Sequence, residues 1–458
     1  MLFKKKAPSP SNDVVSDVSF SDEERGLSPK QSFLIPGILV TSLFFLWGFS
    51  YGLLDTLNKH FKNVLGITTT ESTYMQVAYF GAYFIMCIPA SMISKRFGYK
   101  KAMIFGLCLY VIGAICFYPS AVNLSYGGFV ASLFIIASGL ATLESTANTY
   151  ITAIGSRSKA SLRINIAQSF NGLASCVAPI IASFAFFGGA EDQTTDTSKS
   201  LDSVKWTYIG VACGVAAIAL LFCFANIPEI DEEALMAEEA RETGEVARRA
   251  SLTSPHLVLG AITEFLYTGA QVAVASMFLF YSSEVGQIPD SRGSILLAIA
   301  QACFTIGRFV GAFLMKKIRP DHLMAIFATC CMISNIFVIA FKTPATTYVL
   351  FAILFFESIL FPTIFALGTK DLGRNHKRGS AMIIMGVSGG AVIPPLMGVA
   401  HDHSNVNIAF VIPLICYGVV LFYALVGSKW IKYVDEDIGG VVEQKEVYVD
   451  DTKKSDSK

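Results

Sequence analysis

Long apolar runs recur along the whole chain, and each is bounded by charges, glycine or proline. A helix needs about 20 apolar residues to cross the hydrocarbon core of a membrane, where every backbone polar group must be satisfied within the segment. Twelve runs of this size occur, at 34–58, 72–95, 101–119, 126–154, 162–188, 205–226, 256–284, 293–317, 321–341, 346–369, 379–400 and 407–431. The sequence therefore predicts an all-α membrane protein with twelve transmembrane helices.

Composition supports lipid as the surroundings of this chain. Of its 458 residues, 53% are hydrophobic and 15% are charged, whereas soluble domains carry about 25% charged residues. The formal net charge is zero, so the chain lacks the basic field that holds a nucleic-acid backbone. We expect the bilayer as a partner, no nucleic acid, and a monomer.

Neither a metal nor a cofactor is expected from the sequence. The ten cysteines show no CxxC or Cys/His spacing, so they are interpreted as small buried apolar side chains. The triplet His401-Asp402-His403 has ligand-type side chains, but it falls in a predicted outer loop without further ligands. No nucleophile or phosphate-loop pattern is present, and we expect no enzyme activity.

Polar segments divide the chain into five parts. Residues 1–33 and 433–458 are polar and charged, and are predicted to be disordered cytoplasmic tails. Residues 227–255 contain the acidic and then basic stretch EIDEEALMAEEARETGEVARRAS, which cannot cross lipid. It separates a first six-helix bundle at 34–226 from a second at 256–432.

Cations in the short loops give the orientation. Lysine and arginine concentrate in the loops after the second, fourth, eighth and tenth segments, namely at Lys95, Arg96, Lys100, Lys101, Arg157, Lys159, Arg163, Lys316, Lys317, Arg319, Lys370, Arg374, Lys377 and Arg378. Cytoplasmic loops carry such an excess. This face, both tails and the central loop are therefore predicted to be cytoplasmic.

The two halves echo one another at a shift of about 215 residues. Lys100 and Lys316, Arg163 and Arg378, and Pro179 and Pro394 occupy matching places in the two halves. A chance match of a few cations and a proline is the alternative. Two parallel repeats of six helices around a central cavity are typical of the major facilitator architecture.

Carboxylates within predicted membrane spans are the first candidate functional residues. Asp55 falls late in the first span and Glu144 in the fourth, with Asn148 one turn further on the same face. A carboxylate at the bilayer centre costs about 2.5–3.5 kcal/mol unless it faces water or a partner. Burial disfavours its charged form, so such a group can take up a proton on one side of the membrane and release it on the other.

Amides and tyrosines repeat along the fifth and seventh spans. Asn165, Gln168 and Asn171 follow one face of the fifth, and Glu264, Tyr267 and Gln271 repeat along the seventh. Hydrogen bonds that only hold helices together are the structural alternative. If these groups face one cavity, they supply donors and acceptors for a polyhydroxylated solute, while Tyr51, Tyr267 and Phe361 are candidates for stacking on a sugar ring. Glu357, in the tenth span, is a third candidate acidic residue.

Several of these motifs together resemble one family. LWG followed by Asp55, GLATLESTAN, NIAQSFN, YTGAQVAV, IGRFVGAFL, FPTIFALGTKDLG and SGGAVIPPLMGVAHD are similar to the fucose/proton symporter family of the major facilitator superfamily. The resemblance covers about 34–431. It implies uptake of a monosaccharide with a proton by alternating access.

The resemblance also implies roles for single residues. It places proton coupling on Asp55 and Glu144, the latter also in sugar binding. It places sugar contacts on Gln168 and Asn171, and on Gln271 in the seventh helix. Asn148, Tyr51 and Tyr267 complete the predicted substrate site.

The identity of the sugar stays open. Asparagines precede the first-helix aspartate in fucose transporters, whereas this chain has Tyr51, Gly52 and Leu54. A hexose, a deoxyhexose or an N-acetylhexosamine remains possible, and the long polar tails favour a eukaryotic plasma membrane. A facilitative carrier without proton coupling and a membrane nutrient sensor are the alternative functions on the same fold.

Overall fold

The computed structural model describes residues 36–50, 52, 69–154, 159–187, 197–230, 252–370, 372 and 375–426. Every regular element within these ranges is an α-helix or a 3-10 helix. Tyr51 and Asp55, both predicted to be functional, lie outside the described residues. So do both predicted tails and most of the linker between the sixth and seventh spans.

Each predicted span coincides with helical structure, which confirms the all-helical fold. Ten helices among the described residues are long and apolar enough to cross a membrane. Two further helices match the remaining predictions, a shorter apolar helix at Pro36–Ser50 and the fifth helix, Ala160–Phe187. The others are Thr69–Phe97, Tyr99–Val122, Tyr126–Ala153, Thr197–Phe224, Pro255–Glu284, Asp290–Leu314, Pro320–Ala340, Pro344–Gly368, His376–His403 and Val406–Val426.

Large apolar side chains point away from the protein on many helices. Phe224 is 88% exposed and Ile415 63% exposed. A soluble monomer rarely shows such wide apolar surfaces, whereas a lipid-facing surface requires them. The exposed side chains therefore form the surface that meets the hydrocarbon core.

Two of the last helices are interrupted. The tenth consists of Val349–Glu357 and Leu360–Gly368, and the eleventh contains a 3-10 segment at Gly386–Ala391. Irregular backbone at membrane depth needs other partners for its polar groups, and it is found where it is buried in protein or lines a cavity.

Contacts between the first six and the last six helices concentrate on two pairs. The fifth helix packs against the eighth, and the second against the eleventh. Gly172 faces Thr305 in the first pair, and Gly390 lies against the ring of Phe80 in the second. At the predicted cytoplasmic end, Lys377 Nζ donates a hydrogen bond to the backbone oxygen of Ser94 at 3.3 Å. These contacts enclose the space described next.

Candidate substrate cavity and buried carboxylates

A cavity of about 690 Å³, including the part that opens to solvent, lies between the first six and the last six helices. Its walls combine polar groups with aromatic rings. The lining residues are Trp47, Phe80, Asn171, Ser175, Thr268, Gln271, Val272, Ala275, Gln301, Phe304, Arg308, Glu357, Phe361 and Val387.

Two of the predicted sugar-site residues line this cavity, Asn171 from the fifth helix and Gln271 from the seventh. Asn171 Oδ1 accepts a hydrogen bond from Arg308 Nη1 at 2.7 Å. Its Nδ2 is enclosed and has no hydrogen-bond partner among the described residues. A buried donor without a partner is rare in folded proteins, and this unsatisfied amide belongs to a residue of the cavity wall.

Three other predicted residues lie behind the cavity wall and are not among the residues that line it. Gln168 is fully buried, its Oε1 accepts from Arg308 Nη1 at 3.3 Å, and its Nε2 lies 3.5 Å from Asn148 Oδ1. The Tyr267 hydroxyl donates to the backbone oxygen of Glu357 at 2.6 Å. These side chains position the groups that face the cavity.

Glu144 is enclosed within the first six helices and is 4% exposed. Neither of its carboxylate oxygens has a hydrogen-bond partner among the described residues. The Tyr83 hydroxyl and the Asn148 side chain lie nearby, and Arg308 is the cation whose field reaches it. A carboxylate held this way at membrane depth is costly to keep charged, which suits a group that exchanges protons.

Arg308 links the two halves, and the sequence reasoning did not single it out. It is 2% exposed in the eighth helix, its Nη1 donates to the backbone oxygen of Gln168 at 2.5 Å, and its guanidinium lies 4.6 Å from the centroid of the Phe304 ring. The available signal was a lone arginine inside the apolar motif IGRFVGAFL. Charged residues inside spans mark functional sites by default.

Trp47 was also missed as a site residue, although the LWG motif contains it. Its ring is stacked against Phe361 across the cavity, with 6.4 Å between the centroids. Its Nε1 donates to the Tyr83 hydroxyl at 2.5 Å. The next residue, Gly48, lies so close to the backbone of Asn171 that a Cβ would stand 2.0 Å from its oxygen. Glycine therefore lets the first helix bring Trp47 to the fifth.

The interruption of the tenth helix follows from proline. Pro362 has no N–H to donate to the carbonyl of Ser358 four residues earlier. Arg308 Nε makes that hydrogen bond instead, at 3.2 Å. Close approach is possible because Gly307 lies against the backbone oxygen of Phe355, where a Cβ would be 2.4 Å away. The eighth helix thus holds the break in place.

Glu357 lies at the break and lines the cavity. It is 1% exposed, and its Oε2 accepts a hydrogen bond from the Tyr417 hydroxyl at 2.6 Å. Glu264, the acidic residue of the seventh helix, is equally buried, but it accepts from Thr268 at 3.1 Å and is not among the residues that line the cavity. Among the described residues, no group of three or more His, Cys, Asp or Glu side chains could hold a metal ion.

Among the described residues, apolar helices pack across the two halves, the second on the eleventh and the fifth on the eighth, around a polar cavity. This arrangement defines a membrane transporter fold. The family model described as Major Facilitator Superfamily matches residues 39–394. The chain therefore belongs to the major facilitator superfamily, and within it to the fucose/proton symporter family, as the following relatives show.

Relatives that are named as sugar transporters match most of the chain. The chain is 33% identical over 392 residues to the glucose/galactose transporter of Brucella abortus, covering 85% of this chain and 93% of that protein. It is 30% identical over 445 residues to the L-fucose-proton symporter of Escherichia coli, covering 91% and 99%. The crystal structure of the transporter FucP in the outward conformation matches with a TM-score of 0.76 at 30% identity, covering 86% of this chain and 99% of that one.

Proposed function

We propose that this chain imports a monosaccharide together with protons by alternating access. The observation that carries the proposal is the cavity between the two halves, where amides, a guanidinium, a carboxylate and stacked aromatic rings face one space. Hydroxyl groups of a sugar need such donors and acceptors, and its apolar face needs a ring. The names of the relatives point the same way.

In this proposal Asn171 and Gln271 contact the sugar directly, and Trp47 and Phe361 stack on it. Gln168, Asn148 and Tyr267 hold these groups in place. Tyr51 is a further proposed contact. A hexose, a deoxyhexose or an N-acetylhexosamine fits this chemistry.

Proton coupling is assigned to Asp55 and Glu144. The burial of Glu144 without a hydrogen-bond partner among the described residues supports this role. Alternating access further requires two units that move against each other, and we propose the bundles 34–226 and 256–432 as these units. The linker 227–255 and both termini are then cytoplasmic, in the plasma membrane.

The test uses purified protein in proteoliposomes with an imposed pH gradient. Labelled D-glucose, D-galactose, L-fucose and N-acetyl-D-glucosamine are offered separately, and we expect accumulation of at least one above its outside concentration. Equilibration without accumulation would indicate the facilitative carrier. Absence of any uptake of all four sugars would overturn the proposal.

Orientation is tested separately, in intact cells. Epitope tags at either terminus or within 231–250 should be reached by antibody only after permeabilisation. Labelling of the C-terminal tag alone in unpermeabilised cells would contradict an even number of spans, and labelling of both terminal tags would contradict the predicted orientation.

A further inference from the structure

Glu357 and Arg308 line the same cavity from neighbouring helices of the second half, yet they make no direct ion pair. Among the described residues, Arg308 makes no ion pair within 4.0 Å with any carboxylate, and its hydrogen bonds use Nε and Nη1 only. Its Nη2 is left for another acceptor. A guanidinium can donate from each of its nitrogens.

Likewise, only one of the two oxygens of the Glu357 carboxylate accepts a hydrogen bond among the described residues. Oε2 accepts from the Tyr417 hydroxyl at 2.6 Å. No hydrogen bond to Oε1 occurs among the described residues. This oxygen is not fully enclosed, so it borders the cavity that Glu357 lines. Tyr417 fixes the orientation of the carboxylate and leaves one oxygen for a ligand that donates.

The surrounding contacts hold both groups rigidly. The Tyr267 hydroxyl binds the backbone oxygen of Glu357, and Arg308 Nε binds that of Ser358, the next residue. The backbone that carries the carboxylate is thus held by Tyr267, and the guanidinium is held at the next peptide oxygen, at the break in the tenth helix. Preorganised groups of this kind bind with little loss of conformational freedom.

We propose that Glu357 and Arg308 form the specificity-determining part of the substrate site and bind two neighbouring hydroxyls of the sugar. One hydroxyl donates to Glu357 Oε1, and the adjacent one accepts from Arg308 Nη2. The preferred substrate is therefore a pyranose with a free vicinal diol. This inference rests on the proposed sugar transport, which it deepens by naming the substrate feature that is recognised.

A carboxylate suits this task because it only accepts hydrogen bonds. A site that is built to bind a hydroxyl rejects an analogue that lacks it, since the buried partner is then left unsatisfied. A fluorine in place of the hydroxyl cannot donate to Glu357, but it can still accept weakly from Arg308. The two hydroxyls can therefore be told apart by chemistry.

The experiment measures inhibition of labelled sugar uptake in proteoliposomes, with whichever of D-glucose and D-galactose the native protein accumulates better. Competitors are the monodeoxy and monofluoro analogues at each ring position. We expect two adjacent positions at which the deoxy analogue binds about tenfold or more weakly. At the position whose hydroxyl donates to Glu357, the fluoro analogue should bind as weakly as the deoxy analogue. At the position whose hydroxyl accepts from Arg308, the fluoro analogue should recover part of the lost affinity.

Glu357→Gln keeps the side-chain volume and an acceptor for Tyr417. In this variant the parent sugar should bind about tenfold more weakly, and the penalty for the deoxy analogue at the donating position should shrink to about twofold. Tyr417→Phe releases the carboxylate from its fixed orientation and should weaken binding of the parent sugar about threefold. The penalty for the deoxy analogue should change at the same ring position as in Glu357→Gln. This second variant keeps the test open if the first one folds poorly.

Glu264→Gln is the matched control, because it neutralises an equally buried carboxylate outside the cavity lining, and the analogue profile should stay native. An unchanged profile in both Glu357→Gln and Tyr417→Phe, in protein that still transports, overturns this inference and leaves the proposed function standing. Absence of uptake of every sugar by the native protein overturns the proposed function, and this inference with it.

Discussion

Arg308 Nη1 donates a hydrogen bond to Asn171 Oδ1 at 2.7 Å, and so joins the eighth helix to the fifth. The same nitrogen also reaches the backbone oxygen of Gln168 at 2.5 Å. A buried charge in lipid surroundings is stable only when its hydrogen bonds are supplied by the protein. Asn171 therefore serves two tasks, since its Oδ1 accepts one hydrogen bond from Arg308 and its side chain forms part of the cavity wall.

Replacing Arg308 by lysine tests the geometry of this link at constant charge. A lysine ammonium is a point donor and cannot span Ser358, Gln168 and Asn171 as the planar guanidinium does. We expect Arg308→Lys to reach the membrane in near-native amounts but to transport more than tenfold more slowly, measured as initial uptake per transporter. Arg319→Lys is the control, because Arg319 binds Asp321 at the start of the ninth helix and is not among the residues that line the cavity. Native rates in Arg308→Lys would show that only the charge matters.

Removing the Asn171 side chain tests direct sugar contact by the fifth helix. Asn171→Ala should lower sugar affinity about tenfold, because a lost hydrogen bond to a buried partner costs about 1–3 kcal/mol and 1.4 kcal/mol is a factor of ten. Gln168→Ala should lower affinity less, since Gln168 lies behind the cavity wall. Binding is measured on purified, correctly folded protein.

Asn335→Ala is the matched control for these amides. Asn335 is fully buried in the ninth helix and does not belong to the cavity lining. Its loss should affect the thermal stability of the purified protein and leave sugar affinity alone. Equal affinity losses in all three variants would mean that the amides act through the fold and do not bind the sugar.

Neutralising Glu144 tests proton coupling. Glu144→Gln should abolish accumulation driven by a pH gradient, because the amide cannot bind and release a proton, while exchange of labelled for unlabelled sugar should continue. Exchange needs no net proton movement, so it serves as the internal control for folding and binding. Asp55→Asn should behave in the same way. Accumulation at native levels in Glu144→Gln would remove this residue from the coupling mechanism.

The spans could be predicted from the sequence because each needs only a run of apolar residues of sufficient length. Whether a single polar residue lines the cavity or lies behind its wall could not be predicted in this way. Gln168 and Asn171 differ by three residues, which separates them by about 60° around the helix axis and 4.5 Å along it. Arg308 contacts both side chains, so the packing of the surrounding helices decides that one lines the cavity and the other lies behind it.

The contact between Arg308 and the interruption of the tenth helix likewise could not be predicted from the local sequence. Pro362 in the sequence indicates a carbonyl without its helical partner at Ser358. Which side chain supplies the missing donor depends on the eighth helix, about fifty residues earlier, and on the close approach that Gly307 permits. Local pattern therefore indicated an irregularity, while its partner and its place beside Glu357 came from the tertiary structure.

The last prediction concerns the predicted cytoplasmic end, where Lys377 of the eleventh helix joins the first half. Its Nζ donates to Ser94 O and lies 4.3 Å from the centroid of the Tyr99 ring, which itself packs edge-on against Tyr150. A cation over an aromatic ring contributes about 0.5–2 kcal/mol. These contacts hold the halves together on this side, so losing them should shift the conformational equilibrium toward opening there.

Spin labels at the exposed positions Lys101 and Arg378, in protein whose native cysteines are replaced, report the separation of the halves at this end. Lys377→Met should increase the population of long distances several-fold, since about 1 kcal/mol changes a two-state ratio about fivefold. Lys316→Met is the control, because Lys316 also belongs to the lysine-rich predicted cytoplasmic loops but lies over Phe313 of the helix just before it, with 5.6 Å to the ring centroid. It should leave the distances native. If the two variants gave the same distribution, Lys377 would have no part in closing this end, and the closure would rest on the packing of the second helix against the eleventh.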